Sequence, residues 1–128
     1  MEFTKSKKIF IVDDDEMIRM ELSDYLTLNG KHQVTVFKTG EECLNQLLEN
    51  PDIIVLDYYL NTVTKEAANG IEILEIIKQN YPHIHVIMLS SQDGYGTAIK
   101  TLQKGAEQYV IKDKSAFEKI AALIRELN

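Results

Sequence analysis

The chain has 128 residues, enough for one domain with a substantial core, and we expect a single domain over 1–128 whose core spans about 8–127. A formal net charge of −6 argues against nucleic-acid binding, which needs clustered lysine and arginine. No apolar run is long enough for a membrane span or a signal peptide, and the one cysteine, Cys43, excludes an internal disulfide. These features favour a cytoplasmic globular protein.

Strand and helix patterns alternate through the first half of the chain. Short β-rich runs predict the first three strands at 8–12, 33–37 and 52–56. Helical spacing of apolar residues predicts a helix over 16–29 that ends at Gly30. A Thr39–Glu42 capping box predicts a second helix. The residues that this second helix is expected to bury are Cys43, Leu44, Leu47 and Leu48.

The alternation continues through the second half. A polar loop is expected over 61–69. The predicted helices are 70–80, a segment that includes 98–104, and one that runs from a Ser115–Glu118 capping box to Leu127, and the predicted strands are 85–89 and 108–111. Five β/α units with short connections imply an α/β fold, in which helices cover both faces of a parallel sheet.

Polar residues follow four of the predicted strands. They are Asp13–Asp15 after strand one, Asp57 after strand three, Ser90 and Ser91 after strand four, and Lys112 after strand five. In a doubly wound sheet, ligands bind beyond the carboxyl ends of the strands, so these side chains should meet there. Clustered carboxylates need a counter-charge, and their oxygens suit Mg²⁺. A metal ion and a lysine beside one carboxylate could bind a phosphoryl group during its transfer. Asp15 also fits the N-cap position of the helix that follows.

Four segments carry a resemblance to a known family. They are Ile11–Asp15, Ile54–Asp57, Val86–Ser91 and Tyr109–Lys112. In this order and spacing they resemble the signature segments of bacterial two-component response-regulator receiver domains of the chemotaxis-regulator type, and the similarity spans 8–127. The resemblance implies a flavodoxin-like fold, with five parallel strands in the order 2-1-3-4-5 and five helices.

The resemblance also implies a role for each residue after the strands. Asp57 would be the phosphoacceptor, assisted by Ser90 and Lys112. The ligands of a Mg²⁺ cofactor would be Asp13 through water, Asp14, Asp57 and the backbone carbonyl of Tyr59. As a switch, the Ser90 hydroxyl would move to the phosphoryl group, and the ring of Tyr109 would rotate inward.

The same resemblance implies the partners. The phosphoryl group would come from a histidine kinase or a histidine phosphotransfer protein. The changed surface would be helix four, strand five and helix five, which would bind a downstream protein or a second copy of the chain. Neither nucleic acid nor a membrane is expected as a direct partner.

Several positions depart from the usual pattern of that family. Leu60-Asn61 stands where Met-Pro is usual, and Gly70 comes later than usual, so the loop after strand three is longer. Asp113 rather than proline follows Lys112, and we expect a trans peptide there because a cis bond without proline costs about 2.5–4 kcal/mol. The other departures or variable positions beside the site are Tyr59, Ser91 and Gln92.

Other functions stay open beside the leading interpretation of a phosphorylated signalling switch that is not an enzyme. A magnesium-dependent aspartyl-phosphate phosphohydrolase is disfavoured, because Tyr59 stands where such enzymes typically carry a second aspartate. A flavin-binding domain is disfavoured by the acidic rim and by the lack of a glycine-rich loop after strand one. An unphosphorylated interaction module is disfavoured because every acidic, hydroxyl and lysine position of the expected site is retained.

Overall fold

The computed structural model describes residues 6–91 and 94–127. Five parallel strands form one sheet in the order β2-β1-β3-β4-β5, which confirms the predicted topology. The strands are β1 Lys8–Val12, β2 Gln33–Phe37, β3 Ile53–Asp57, β4 His85–Ser90 and β5 Gln108–Ile111. The α-helices are α1 Glu16–Gly30, α2 Gly40–Leu44, α3 Gly70–Asn80, α4 Tyr95–Gln103 and α5 Ala116–Glu126.

The core has two parts, one on each face of the sheet. Alternate residues of a strand point to opposite faces, so Ile9 and Ile11 of β1 pack with α1 and α5, while Phe10 and Val12 pack with α2 and α3. All five residues of β3 are buried, because β3 lies between β1 and β4 and is covered on both faces. This double burial explains the unbroken apolar run of that strand.

The end of α1 differs in detail from its prediction. Asp15 caps the N-terminus as expected, since its Oδ1 accepts a hydrogen bond of 2.9 Å from the Met17 N–H. At the other end, the residue in the left-handed conformation is Lys31, with φ of 55°, and Gly30 is the last helical residue. Glycine is needed there for space, because a Cβ would lie 2.3 Å from Nε2 of His32.

The second helix is shorter than its prediction. The Thr39–Glu42 capping box is confirmed, with the Glu42 N–H donating to Thr39 Oγ1 at 3.2 Å and the Thr39 N–H donating to Glu42 Oε1 at 3.2 Å. The α-helix ends at Leu44, however, and a 3₁₀ turn follows over Leu47–Glu49. The predicted burial of Leu48 is wrong, because the turn rotates this side chain into solvent and leaves it 89% exposed.

The predicted capping box at the start of α5 is also wrong. Ser115 makes no side-chain capping bond to the helix. Its N–H and its hydroxyl both donate to Oδ1 of Asp113, each at 2.9 Å, so a local turn takes the N–H that the box would direct to Glu118 and orients the hydroxyl away from the helix. Throughout 6–91 and 94–127, every helix is too short or too polar to cross a lipid bilayer.

Candidate functional site

The sheet brings the predicted acidic residues together at its carboxyl edge. Asp57 is the last residue of β3 and pairs in register with Leu89 of β4. Asp13 directly follows β1, and its N–H donates to the Phe37 carbonyl at 3.1 Å. The backbone at both carboxylates is therefore fixed by hydrogen bonds to a neighbouring strand, which sets where the side chains begin.

Three carboxylates and one ammonium form the centre of the site. Asp13, Asp14 and Asp57 each offer an oxygen within 4.8 Å of the others. Asp13 and Asp57 are buried, whereas Asp14 is half-buried. Nζ of Lys112 lies 3.0 Å from Oδ2 of Asp13 and 3.4 Å from Oδ1 of Asp57. The structure therefore places Lys112 between the two buried carboxylates.

Burial and mutual repulsion change how these groups hold protons. Desolvation, followed by the charge of Asp13, raises the pKa of Asp57 from 3.8 to about 7. Desolvation also raises the pKa of Asp13, although a hydrogen bond from the Asp15 N–H and the Lys112 charge oppose this shift. Burial opposes the charged form of Lys112, but the two carboxylates prevail and its pKa is raised. One ammonium does not neutralise three carboxylates, so the cluster favours a further cation.

The donor set fits Mg²⁺. All three groups offer carboxylate oxygens, which are the ligands that this hard cation prefers. Two of the three carboxylates are buried. Oδ2 of Asp13 is buried and, among the described residues, accepts no hydrogen bond apart from its contact with the Lys112 ammonium. Asp13, Asp14 and Asp57 could therefore hold the metal, and Mg²⁺ would keep several waters there.

The long loop after β3 contacts the site, which the sequence did not predict. The N–H groups of Thr62 and Val63 donate to Oδ2 of Asp14 at 3.1 and 3.3 Å, and the Thr62 hydroxyl donates to the same oxygen. At the far end of the loop, the Ala68 N–H donates to Oε2 of Glu41 at 3.0 Å. The extra length was a visible signal, but nothing in the sequence marked Thr62 as its contact.

Two further residues that support the site were missed. Gly70 opens α3 directly against the end of β3, since a Cβ there would lie 2.2 Å from the Asp57 carbonyl oxygen. Its late position is visible in the sequence, but the spacing of residues along the chain does not predict its contact with Asp57. Arg19 of α1 donates through Nη1 to the Asp13 carbonyl at 2.8 Å, and an arginine on a surface helix carries no sequence signal for such a role.

The other predicted residues lie at or near the same edge. Ser90 ends β4 and is fully buried, and the Lys112 N–H donates to its carbonyl at 2.8 Å. Tyr109 is half-buried on β5 and packs against the α2–α3 side of the core. The ring of Tyr59 is half-buried and meets Tyr58 edge to face, with centroids 4.8 Å apart. The Lys112–Asp113 peptide is trans, as are all the described peptide bonds. Gln92 lies outside the described residues.

Comparison with known proteins identifies the family. The model of the response regulator receiver domain family matches residues 9–125. The chain belongs to that family. Chemotaxis protein CheY of Bacillus subtilis is 30% identical over 122 residues, which cover 94% of this chain and 98% of CheY. Response regulator protein VraR of Staphylococcus saprophyticus is 31% identical over 121 residues, and the chain spans 55% of that protein's length.

Solved receiver domains share the fold. The BeF3-activated receiver domain of DrrB is 31% identical, with a TM-score of 0.82 over 95% of this chain and 97% of that one. The receiver domain of Francisella response regulator 1452 is 26% identical, with a TM-score of 0.81 over 94% of this chain and 95% of that one. A protein-glutamate methylesterase/protein-glutamine glutaminase of Archaeoglobus fulgidus is also 30% identical, and the chain spans 34% of it.

Proposed function

We propose that this receiver domain is a switch that accepts a phosphoryl group on Asp57 in the presence of Mg²⁺. The observation that carries the proposal is the position of the Asp57 carboxylate, which shares one pocket with two more carboxylates and the Lys112 ammonium. Asp57 is the carboxylate of this cluster that ends the central strand β3. The donor would be a histidine kinase or a histidine phosphotransfer protein, as is usual for the family.

The residues would divide the work of phosphoryl transfer as follows. An oxygen of Asp57 forms a bond to phosphorus while the bond from phosphorus to the donor's imidazole nitrogen breaks, and that imidazole then takes up a proton. Lys112, already 3.4 Å from Asp57 Oδ1, pairs with the negative phosphoryl oxygens. A bound Mg²⁺ would supply charge neutralisation, with Asp13, Asp14, Asp57 and the Tyr59 carbonyl as its protein ligands. Ser90 would donate to a phosphoryl oxygen.

The product would change the surface rather than release a molecule. A phosphoryl group adds about −1.5 to −2 charge near neutral pH. Inward movement of Ser90 would make room for Tyr109, and the face of α4, β5 and α5 would then bind a downstream protein or a second copy. On this proposal the chain is one domain that acts in the cytoplasm as a switch, not as an enzyme with a separate substrate.

Phosphorylation by a small-molecule donor tests the proposal. The wild-type protein, incubated with acetyl phosphate and Mg²⁺, should gain the mass of one phosphoryl group, and Asp57→Asn should gain none because the amide cannot attack phosphorus. Asp24→Asn is the matched control, since Asp24 is an exposed carboxylate of α1 and should behave as wild type. Intact mass spectrometry provides the measurement. Equal phosphorylation of Asp57→Asn and wild type would show that Asp57 is not the acceptor.

A further inference from the structure

The loop over 61–69 joins the acidic site at one particular oxygen. Three donors from two adjacent residues converge on Oδ2 of Asp14, namely the Thr62 N–H, the Thr62 hydroxyl and the Val63 N–H. Among the described residues, no hydrogen bond to the other oxygen, Oδ1, is seen. One oxygen of this carboxylate is therefore saturated by the loop, and the other is left open to a cation.

Asp14 is the member of the cluster that most needs such a restraint. Asp13 and Asp57 are buried and face Lys112, whereas Asp14 is half-buried and makes no ion pair with any described lysine or arginine. Repulsion from its two neighbours favours rotation of Asp14 outward into water. Neutral donors from the loop hold the carboxylate at the site without adding a charge that would compete with a metal ion.

The loop itself is anchored on both sides of this contact. At its base, the Leu60 N–H donates to Oδ1 of Asn69 at 3.3 Å, and the Ala68 N–H donates to Glu41 of α2. The polar stretch between these anchors is thus tied to α2 at one end and to the β1–α1 junction at the other. Its path brings Thr62 to Asp14, 48 residues away along the chain.

We infer that Thr62 is a positioning residue for the metal site, an inference that rests on the proposed function. Its hydrogen bonds fix Asp14 so that Oδ1 is presented to Mg²⁺, and the extra length of the loop is what allows Thr62 to reach Asp14. Loop attachment and Mg²⁺ binding are then linked, so that each favours the other by the same factor.

Substitution of the hydroxyl tests the inference. Thr62→Val keeps the shape and the backbone donors but loses the hydroxyl. It should weaken Mg²⁺ binding by about tenfold, since loss of a group that supports a metal ligand typically weakens metal binding by about 10–100-fold. Thr62→Ser should restore wild-type affinity. Thr64→Val is the control, because the same change is made two residues away, at an exposed side chain with no contact to Asp14. Affinity is read from the amide chemical shifts of Asp57 and Tyr58 during titration with MgCl₂.

Hydrogen exchange of the wild-type protein provides a second readout that needs no variant. Because the linkage is reciprocal, Mg²⁺ should slow exchange of the Thr62 and Val63 amides, which donate to Asp14. Unchanged or tighter Mg²⁺ binding by Thr62→Val, or faster exchange of these amides with Mg²⁺, would overturn the inference and leave the metal site in place. If Mg²⁺ fails to shift Asp57 and Tyr58 in the wild type, the proposed metal site fails as well.

Discussion

At the scale of single residues, the buried position of Asp57 carries a cost to stability. Its carboxylate is buried beside two others, and its pKa is raised from 3.8 to about 7. A raised carboxyl pKa means that the folded state binds a proton more tightly than the unfolded state. The stabilisation that comes from the proton on Asp57 is therefore complete below pH 3.8 and is lost as the pH rises through about 7.

Replacing Asp57 with asparagine should relieve this cost above neutral pH. In EDTA, the gain in the free energy of unfolding of Asp57→Asn over wild type should be about 2 kcal/mol larger at pH 8 than at pH 5. Urea denaturation at the two pH values measures this difference, and Asp24→Asn serves as the control with no such dependence. Addition of Mg²⁺ should reduce the gain, because the metal stabilises the wild-type carboxylate. An equal gain at both pH values would contradict the raised pKa.

The sequence predicted the residues at the centre of this site but not the residues that support it. Asp13, Asp14 and Lys112 follow strands, and Asp57 ends one. Because the carboxyl ends of parallel strands meet at one edge of the sheet, the proximity of these residues could be predicted from their order. Thr62 and Arg19 reach the site across loops and helix faces. Their contacts depend on the path of the backbone, which no local pattern of residues encodes.

At the scale of elements, the start of α3 is fixed by the end of strand β3. The Gly70 N–H donates to the Tyr58 carbonyl at 2.8 Å, and a Cβ on residue 70 would lie 2.2 Å from the Asp57 carbonyl oxygen and 2.9 Å from Cα of Tyr58. These are backbone atoms held in and next to the central strand, so they cannot move aside cheaply. The first turn of α3 therefore depends on a residue without a side chain.

Gly70→Ala should accordingly damage both stability and phosphorylation. We expect a loss of about 1–3 kcal/mol in the free energy of unfolding, as for other overpacked sites, and slower phosphorylation because Asp57 is displaced. Gly96→Ala is the matched control, since nothing lies within 4 Å of a Cβ there and alanine favours a helix by about 1 kcal/mol. Thermal unfolding and phosphorylation by acetyl phosphate measure the two effects. Wild-type behaviour of Gly70→Ala would show that α3 can shift freely.

Periodicity predicted the elements better than it predicted their ends. The strands were placed to within a residue, because β-branched runs and the residues that follow them are unambiguous. The second helix was predicted too long, since apolar residues at helical spacing do not distinguish an α-helix from a short helix followed by a 3₁₀ turn. The Ser115 capping box was wrong because Asp113 accepts hydrogen bonds from both the N–H and the hydroxyl of Ser115.

At the scale of the whole molecule, the alternation of strands and helices predicted a parallel α/β fold, and the family resemblance predicted the strand order. Short right-handed connections restrict five β/α units to few arrangements, and the observed order is the one that the resemblance implied. The sheet also connects the site to the edge strand β5. β4 and β5 run side by side from the core to the acidic edge, with Ser90 paired to Ile111 and Met88 paired to Tyr109.

This pairing makes a testable prediction about the switch. Beryllium fluoride with Mg²⁺ should mimic the phosphoryl group at Asp57, draw in the hydroxyl of Ser90 and let Tyr109 turn into the space that opens. The amide chemical shifts of residues 94–112 should therefore change together with those of the acidic pocket. The region that responds should include the groove between β5 and α5, which Tyr109, Val110 and Leu123 help to line.

Substitutions of two neighbouring serines can distinguish the conformational switch from simple binding of beryllium fluoride. Ser90 is fully buried at the end of β4, whereas Ser91 is exposed directly after it. With Ser90→Ala, beryllium fluoride should still shift Asp13 and Asp57, because the metal and Lys112 suffice to bind it, but β5 and α4 should respond much less. Ser91→Ala should respond as the wild type does. If residues 94–112 stay silent in the wild type, or if Ser90→Ala transmits the change fully, the signal does not travel through Ser90 to this face.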